Sequence, residues 1–288
     1  MKPQLLRRIA TALAALGMAW PAIAADMPLK GPLLPPPAPV YGWGGYYFGG
    51  NLGYSWGHTS TDYTTVDPAG PTVEGNHDSV NMNGWIGGGQ AGFNYRFQQN
   101  FLLGVEADIQ ASGEKATSNP LICHSAAIAP FTGVCDFGTV NDTYTEKLEW
   151  FGTLRARAGY LVTPTWLVYA TGGLAYGRLT RDDTYNYFSQ FFCNAGGGVG
   201  GAGVCTPQSN SISAVNTGWT VGVGIEAEIW GHWTGRIEYL YMDLAGLGTQ
   251  TFALTSGNPP LINLTTTSNR FTDNILRVGV NYRFPIAQ

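Results

Sequence analysis

Residues 224–243, GIEAEIWGHWTGRIEYLYMD, alternate charged side chains with apolar ones. Glu226 and Glu228 stand two apart in the first half, and Arg236 and Glu238 stand two apart in the second. Successive side chains of a β-strand point to opposite faces, so this pattern predicts two strands, each with one ionic and one apolar face. The open question is which of the two faces meets water.

The composition narrows the choice between a soluble and a membrane protein. The chain has 288 residues, of which 44% are hydrophobic and only 12% are charged, whereas an ordinary soluble domain has about 25% charged residues. Forty glycines and 13% aromatics favour turns and strands over helices. No run of about 18 apolar residues follows residue 25, which excludes a transmembrane helix. The apolar residues are therefore either packed in a large core or exposed to lipid.

Residues 1–24 are predicted to be a secretory signal peptide. Three basic residues precede or border an apolar segment, IATALAALGMAW, which is followed by the small residues of AIAA. Cleavage after Ala24 fits the small-residue rule, and cleavage after Ala25 is the alternative; a membrane anchor is the competing interpretation. Removal of this segment leaves an excess of acidic residues, which argues against a nucleic-acid partner.

Residues 25–43 are predicted to be a proline-rich periplasmic spacer that precedes a barrel domain, 44–288. Six prolines lie among residues 26–42. Proline has no backbone N–H and a fixed φ, so such a segment is extended and enters neither a helix nor a central strand.

Period-two alternation recurs in eight segments of the remaining chain, and the connections between them alternate in length. The segments are 44–57, 84–97, 101–110, 147–162, 166–177, 215–230, 233–244 and 274–284. Three connections are tight (98–100, 163–165, 231–232) and four are long and polar (58–83, 111–146, 178–214, 245–273). Short turns at one end and long loops at the other are typical of outer-membrane barrels. The pattern predicts an all-β, eight-stranded antiparallel transmembrane β-barrel with short periplasmic turns and four long extracellular loops.

Strand length and aromatic placement agree with that interpretation. A tilted strand needs about 9–11 residues to cross a bilayer, and each segment supplies them. Rings with a polar tip favour the headgroup level, and here they gather beside the short turns and the C-terminus. These residues are Tyr95, Phe97, Phe101, Tyr160, Trp166, Trp230, Trp233, Tyr282 and Phe284.

If the apolar faces meet lipid, the charges on the opposite faces project into the bore. The predicted interior network contains six basic and six acidic residues: Arg96, Glu106, Asp108, Glu149, Arg155, Arg157, Glu226, Glu228, Arg236, Glu238, Arg277 and Arg283. An eight-stranded barrel is just wide enough for side chains to fill. An unpaired buried charge costs several kcal/mol, so we expect these residues to pair and to plug the bore.

The four cysteines lie in two of the long polar segments. An even count in an exported chain favours disulfides, and we predict the local pairs Cys123–Cys135 and Cys193–Cys205 among the three possible connectivities. The close ligand spacing of a zinc site is absent, so no metal site is predicted.

Several segments in this order resemble the opacity/porin-like outer-membrane β-barrel proteins of α-proteobacteria, including surface proteins of rhizobia and brucellae. They are WGGYYFGGNLGYSWG, GGGQAGFNYRF, GTLRARAGY, TGWTVGVGIEAEI, RIEYLYMDL and LRVGVNYRF. The resemblance covers essentially the whole mature chain and is weakest in the long loops. It implies an eight-stranded barrel in the outer membrane of a Gram-negative cell. It also implies that Phe284 is the C-terminal aromatic residue that the barrel assembly machinery recognises, although PIAQ follows it here.

The sequence favours a structural and surface-interaction protein that is not an enzyme and needs no cofactor. The expected partners are outer-membrane lipid and lipopolysaccharide, the assembly machinery, and a host or phage surface. The alternative function is a small pore or passive transporter lined by the inward charges. An enzyme would require converging side chains, and the consecutive His77, Asp78 and Ser79 rarely converge. The competing fold is a soluble β-sandwich, which would need polar outer faces.

Overall fold

The computed structural model describes residues 42–66, 73–124, 138–189, 203–204, 207–254 and 262–285. Ten strands are present in this part of the chain: β1 Gly45–Val66, β2 Val73–Arg96, β3 Phe101–Ser118, β4 Leu121–His124, β5 Gly138–Thr163, β6 Trp166–Ser189, β7 Gly203–Val204, β8 Gln208–Trp230, β9 Trp233–Leu254 and β10 Ile262–Pro285. Within these described ranges no helix is long and apolar enough to cross a membrane.

Eight long strands form a closed antiparallel ring. Sequence neighbours pair with each other, β5 pairs with β6, and β1 pairs with both β2 and β10, which closes the ring. The short strands β4 and β7 extend the pairing of β5 and β6. Because each long strand has two partners, its backbone donors and acceptors are satisfied on both sides and no long edge is left open. The predicted eight-stranded antiparallel barrel is confirmed.

The three tight turns lie where the sequence predicts them, but the predicted strand ends at the other side of the barrel were wrong. The strand β5 begins at Gly138 and β6 continues to Ser189, well inside segments predicted as loops. Those segments are polar yet still alternate. In β1, for example, Thr59, Thr61 and Tyr63 are buried while the intervening side chains are partly or fully exposed. A polar outer wall combined with β-branched residues is compatible with a strand that is surrounded by water.

The outer wall changes polarity along the barrel. Near the tight turns the outward side chains are apolar and exposed, for instance Leu154 at 55% and Leu174 at 64%. We call this zone the apolar belt; it comprises the outward residues of 46–56, 85–97, 101–111, 150–162, 166–176, 219–230, 233–241 and 276–284. On β5 it runs from Trp150 to Val162, which corresponds to about 28 Å along the barrel axis at ~3.3 Å per residue and a tilt of about 45°. This height is close to the apolar band of about 25 Å that outer-membrane barrels expose to lipid.

Beyond the apolar belt the outer wall becomes polar, and the interior becomes mixed. There the outward residues are mostly Thr, Ser, Asn and charged side chains, while the inward residues include both apolar side chains and buried charges. The inner cluster at this level consists of Tyr63, Ile122, Val140, Tyr144, Tyr185 and Leu264. The barrel thus has an apolar outer wall around paired charges near the tight turns, and a polar outer wall around a mixed interior at the other end.

Candidate functional site: the filled bore

The interior of the belt region holds a group of paired charges that comes from four strands. Its members are Glu106 and Asp108 of β3, Arg155 of β5, Arg236 and Glu238 of β9, and Arg277 of β10, and we call them the ionic cluster. Strand register places Glu106 opposite Arg155 and Glu238 opposite Arg277. Opposite charges at directly facing positions stabilise strand pairing. Alternation in the sequence and register in the sheet therefore converge on the same pairs.

Arg155 and Arg277 connect the carboxylates of the ionic cluster across the bore. Arg155 donates through Nη1 to Glu238 Oε1 at 3.0 Å and through Nη2 to Asp108 Oδ2 at 2.9 Å. Arg155 Nη2 also forms a close ion pair with Glu106 Oε1. Arg277 Nη2 lies 3.0 Å from Asp108 Oδ2 and 2.6 Å from Glu238 Oε2. Each guanidinium thus bridges at least two carboxylates.

Arg236 completes the cluster from the opposite wall. Its Nη1 donates to Glu106 Oε2 at 2.6 Å. Three arginines face three carboxylates, so the formal charge of the ionic cluster is zero. Burial of charges is tolerated when they are paired and hydrogen-bonded in this way.

A second group lies beside the ionic cluster and contains two tyrosines. The carboxylate of Glu226 forms a close ion pair with Arg157 and accepts a hydrogen bond from Asn281 Nδ2 at 3.0 Å. The guanidinium of Arg157 lies 3.7 Å from the centroid of the Tyr169 ring. Tyr47 Oη donates to Glu106 Oε2 at 2.6 Å, which links the two groups. Aromatic faces of this kind stabilise a desolvated cation.

Apolar layers lie on either side of these charges. Trp43, Leu102, Leu161, Leu167 and Tyr169 form the layer at the tight-turn end. The opposite layer includes Met82, Ile86, Phe151, Leu240, Phe271 and Ile275. The side chains of the ionic cluster have a solvent exposure of 0%. The ionic cluster is thus buried between two apolar layers.

Trp43 fixes the segment before β1 in the mouth at the tight-turn end. Its Nε1 donates to the carbonyl of Pro164 at 2.8 Å, and the guanidinium of Arg283 lies 4.4 Å from its ring centroid. Arg283 Nη1 also donates to the carbonyl of Gly42 at 3.1 Å. Trp43 and Gly42, at the end of the predicted spacer, thus pack against the barrel at its tight-turn end. The signal peptide and residues 25–41 lie outside the described residues, and their boundaries stay predictions.

Of the twelve predicted interior residues, Glu149 faces outward and Arg96 lies on the inward face of β2 at the rim of the barrel. Glu149 has a side chain that is 44% exposed and pairs with Arg178 on the outer wall. The reason is an irregularity in β5: register shifts between Leu148 and Trp150, so the alternation changes face at Glu149. Arg96 lies at the tight-turn end, where its Nε donates to the carbonyl of Gln99 at 2.8 Å. Glu228 pairs with Arg283 at 3.4 Å at the same end.

A second ionic group beyond the belt was missed by the sequence analysis. Arg181 donates through Nε to Asp183 Oδ1 at 2.7 Å, lies 3.3 Å from Asp142 Oδ2, and packs 3.8 Å from the Tyr144 ring centroid. Burial, followed by repulsion from Asp183, raises the pKa of the Asp142 carboxyl to about 7. The signal was present, because charged and aromatic residues alternate in DTYTE (142–146) and RDDTY (181–185), but both segments were assigned to loops.

Glu114 is a buried carboxylate with different surroundings. Ser55 Oγ donates to its Oε2 at 2.9 Å, and no ion pair to Glu114 exists within the described ranges. The exposed fraction of the residue is 1%. This position was also missed, since it fell in a predicted loop.

The remaining predicted positions are as follows. Cys135, Cys193 and Cys205 lie outside the described residues, so both disulfides stay predictions. Phe284 is exposed at the tight-turn end and its ring contacts Tyr282 at 4.9 Å between centroids; its role in assembly stays a prediction.

The histidine triplet does not form a converging site. His77 Nδ1 lies 2.7 Å from Asp62 Oδ1 on the outer wall. Asp78 instead accepts hydrogen bonds from Ser118 and Tyr144. In the described part of the chain no group of three or more His, Cys, Asp or Glu side chains is arranged to hold a metal ion.

Comparison with known proteins identifies the family. The family model described as outer membrane protein beta-barrel domain matches residues 10–284. The 31 kDa outer-membrane immunogenic protein of Brucella melitensis is 32% identical over 97% of this chain and 100% of its own length. The 25 kDa outer-membrane immunogenic protein of Brucella abortus is 27% identical over 91% of each chain. The 22 kDa outer membrane protein of Rhizobium leguminosarum is 26% identical over 86% of this chain and 82% of its own length.

Solved structures add little to these relatives. The outer membrane protein OprG from Pseudomonas aeruginosa aligns with a TM-score of 0.37 and 9% identity over 84% of this chain and 97% of its own. Because this structural similarity is low, the fold is assigned from the closed ring of strands, and the family is assigned from sequence similarity. The chain belongs to the α-proteobacterial family of outer-membrane β-barrel proteins, and it is a protein of the cell outer membrane.

Proposed function

We propose that this protein is a closed, non-conducting barrel that has a structural role in the outer membrane and presents its extracellular wall for surface interactions. The observation that carries the proposal is the complete desolvation of the ionic cluster, whose side chains have no exposed surface from either end. The proposal includes no catalytic step. Lipid and lipopolysaccharide are the partners of its wall, and the barrel assembly machinery is the partner during its insertion.

The energetics of the ionic cluster favour a plug over a pore. A hydrated ion that entered the bore would have to separate guanidinium groups from carboxylates that they contact at 2.6–3.0 Å. Leaving one partner of a buried ion pair uncompensated costs about 3–5 kcal/mol. Apolar layers on both sides would add the cost of hydrating their side chains. A small pore for solutes, the alternative, would need a rearrangement of all three layers.

The extracellular wall is the part of the molecule suited to contacts outside the cell. Strands β1 and β2 continue beyond the apolar belt to Val66 and from Val73, and they carry polar outward side chains there. Curated relatives are named immunogenic outer-membrane proteins. We infer that this chain is also presented to a host, and expect a host or phage surface to contact the tips of these strands.

Conductance across a planar lipid bilayer tests the closed bore. Purified, refolded protein is added to the bilayer beside a porin of known conductance as a positive control. We expect no reproducible current steps from the wild type. Steps that are altered by Arg155→Ala in the bore and unaffected by Leu154→Ala on the lipid face would overturn the proposal and establish the pore.

A further inference from the structure

Three cationic side chains lie next to one another on the outer wall of neighbouring strands. Lys115 of β3 faces Lys147 of β5 directly in the strand register. Lys147 in turn faces Thr180 of β6, two residues from Arg178. Lys147 and Arg178 have side chains that are 42% and 46% exposed, and Lys115 is exposed as well. We call these three residues the basic patch.

The basic patch lies just beyond the extracellular edge of the apolar belt. Arg178 is directly opposite Trp150, the last belt residue of β5, and Trp150 contacts the Tyr176 ring at 6.2 Å between centroids. Aromatic residues of this kind mark the membrane interface. Two to four residues past that girdle, the three cations are at the depth of the lipid headgroups.

The charge of the patch is only partly compensated by the protein. Asp182 lies 2.9 Å from Lys147 Nζ, and Glu149 lies 3.5 Å from Arg178 Nε. Exposed pairs of this kind contribute little stability and rearrange readily. Lys115 has no ion pair in the part of the chain that the structure describes. Like charges on directly opposed residues, such as Lys115 and Lys147, destabilise a sheet unless an anion lies between them.

Hydroxyl groups surround the cations and add hydrogen-bonding capacity. Arg178 Nη2 donates to Ser213 Oγ at 3.0 Å. The hydroxyls of Thr117 and Thr145, two residues beyond the facing lysines on their strands, are 3.0 Å apart. Cations combined with hydroxyl donors suit a phosphate that is attached to a sugar.

We propose that the basic patch binds the phosphate groups of lipopolysaccharide in the outer leaflet, with Lys115 and Lys147 on either side of one phosphate and Arg178 as a further donor. We choose lipopolysaccharide because the patch faces outward at headgroup depth. Phosphate groups of outer-leaflet lipid are held beside the wall at that depth, whereas a soluble anion is not. The inference rests on the proposed function, which assigns this end of the barrel to the outside and lipopolysaccharide to its wall, and adds the residues that bind the phosphate.

The test compares lipid binding by the wild type and the triple variant Lys115→Gln/Lys147→Gln/Arg178→Gln. Refolded protein in detergent micelles is titrated with bis-phosphorylated lipid A and with the same lipid A after enzymatic dephosphorylation, and bound lipid is counted by native mass spectrometry. We expect the wild type to prefer the phosphorylated form by on the order of 100-fold, since each cation near an anionic lipid surface contributes about fivefold. The triple variant should bind both forms alike.

Arg270→Gln is the matched control, because Arg270 is an exposed cation of β10 on the opposite side of the ring. It should retain the wild-type preference, and unboiled gel migration verifies that each variant is folded. Equal binding of phosphorylated lipid A by the wild type and the triple variant, or no preference in the wild type, would refute the basic patch as a phosphate site. Conductance is recorded on the same preparations, so a failure of the closed-bore proposal is recognised separately.

Discussion

Glu106 and Glu114 lie on the same inner face of β3 but in opposite electrostatic surroundings. Glu106 contacts Arg236 at 2.6 Å and forms a close ion pair with Arg155. Glu114 accepts a hydrogen bond from Ser55, and no cation pairs with it in the described structure. A buried carboxylate stabilises the fold only where its charge is compensated. The two residues therefore provide a matched pair in which the same substitution has opposite expected effects.

We predict that Glu106→Gln lowers the free energy of unfolding by about 3–5 kcal/mol, because it leaves three arginines with two carboxylates in the ionic cluster. Glu114→Gln should leave it unchanged or raise it, since it removes a charge that has no buried partner. Urea unfolding of protein refolded into lipid vesicles, followed by tryptophan fluorescence, measures both values. Equal losses in the two variants would mean that Glu114 is compensated by a cation after all.

The second ionic group, around Arg181, predicts that the stability of the extracellular part of the barrel depends on pH. Asp142 lies in β5 beyond the belt, and its pKa is raised to about 7 by burial and by the nearby Asp183. A folded-state pKa above the unfolded value of about 3.9 means that stability is fully present at low pH and decreases as the pH rises through 7. We therefore expect the wild type to be more stable at pH 5 than at pH 8.5.

Asp142→Asn isolates this effect, because it keeps the shape of the side chain and removes the titration. The variant should be more stable than the wild type at pH 8.5, and the difference should shrink toward pH 5. Protease resistance of the extracellular part at the two pH values, followed by mass spectrometry, gives the comparison. A variant that is less stable at pH 8.5 than at pH 5 by the same margin as the wild type would contradict the assignment to Asp142.

At the level of the strands, period-two alternation was sufficient to locate a strand wherever one of its faces meets lipid. There the contrast between apolar and ionic faces is maximal, and the eight strands and three tight turns were predicted correctly, while the structure places most of the predicted charges on inward faces. Beyond the belt both faces carry polar residues, so the contrast vanishes and 138–146 and 178–189 were mistaken for loops. Irregular pairing is invisible to alternation as well, which is why Glu149 was assigned to the wrong face.

Inward glycines allow large side chains to lie flat against the inner wall. Tyr47 of β1 faces Gly92 of β2 in the register, and a Cβ on Gly92 would meet the Tyr47 ring. The ring is thereby held where its hydroxyl donates to Glu106. The absence of a side chain at Gly92 thus leaves room for the Tyr47 ring on the neighbouring strand.

We predict that Gly92→Ala destabilises the barrel by about 1–3 kcal/mol, because the new methyl group displaces a packed ring. Gly50→Ala is the control on the lipid-facing side of β1, where the nearest atom to a Cβ is 3.7 Å away. It should be neutral or slightly stabilising, since alanine restricts the unfolded chain. Urea unfolding in vesicles compares them; a loss in Gly50→Ala as large as in Gly92→Ala would show that glycine flexibility, and not the Tyr47 contact, is what matters.

For the whole molecule, the change from an apolar to a polar outer wall at the belt edge explains how one ring of strands lies partly in lipid and partly in water. Within the belt, acyl chains solvate the apolar wall, and the charges that water would otherwise solvate pair across the bore. Beyond the belt, water solvates the outer wall, and the interior combines apolar residues such as Val140 and Leu264 with the second ionic group around Arg181. The position of the belt therefore determines both the depth of insertion and the part of the barrel that is available outside the cell.

The position of the apolar belt predicts that the destabilisation caused by a charged substitution depends on the depth of that residue in the membrane. Leu154 is 55% exposed near the middle of the belt on β5, and Val162 is 60% exposed at its periplasmic edge. Leu154→Arg should lower the free energy of unfolding in lipid vesicles by about 2–4 kcal/mol, whereas Val162→Arg should cost about 0–1 kcal/mol, because arginine at the edge reaches the headgroups. Since both side chains are about equally exposed, a soluble protein would tolerate the two substitutions alike. Equal effects would therefore place the apolar belt out of contact with lipid and would contradict the inside-out architecture on which the proposed plug and the proposed phosphate site both depend.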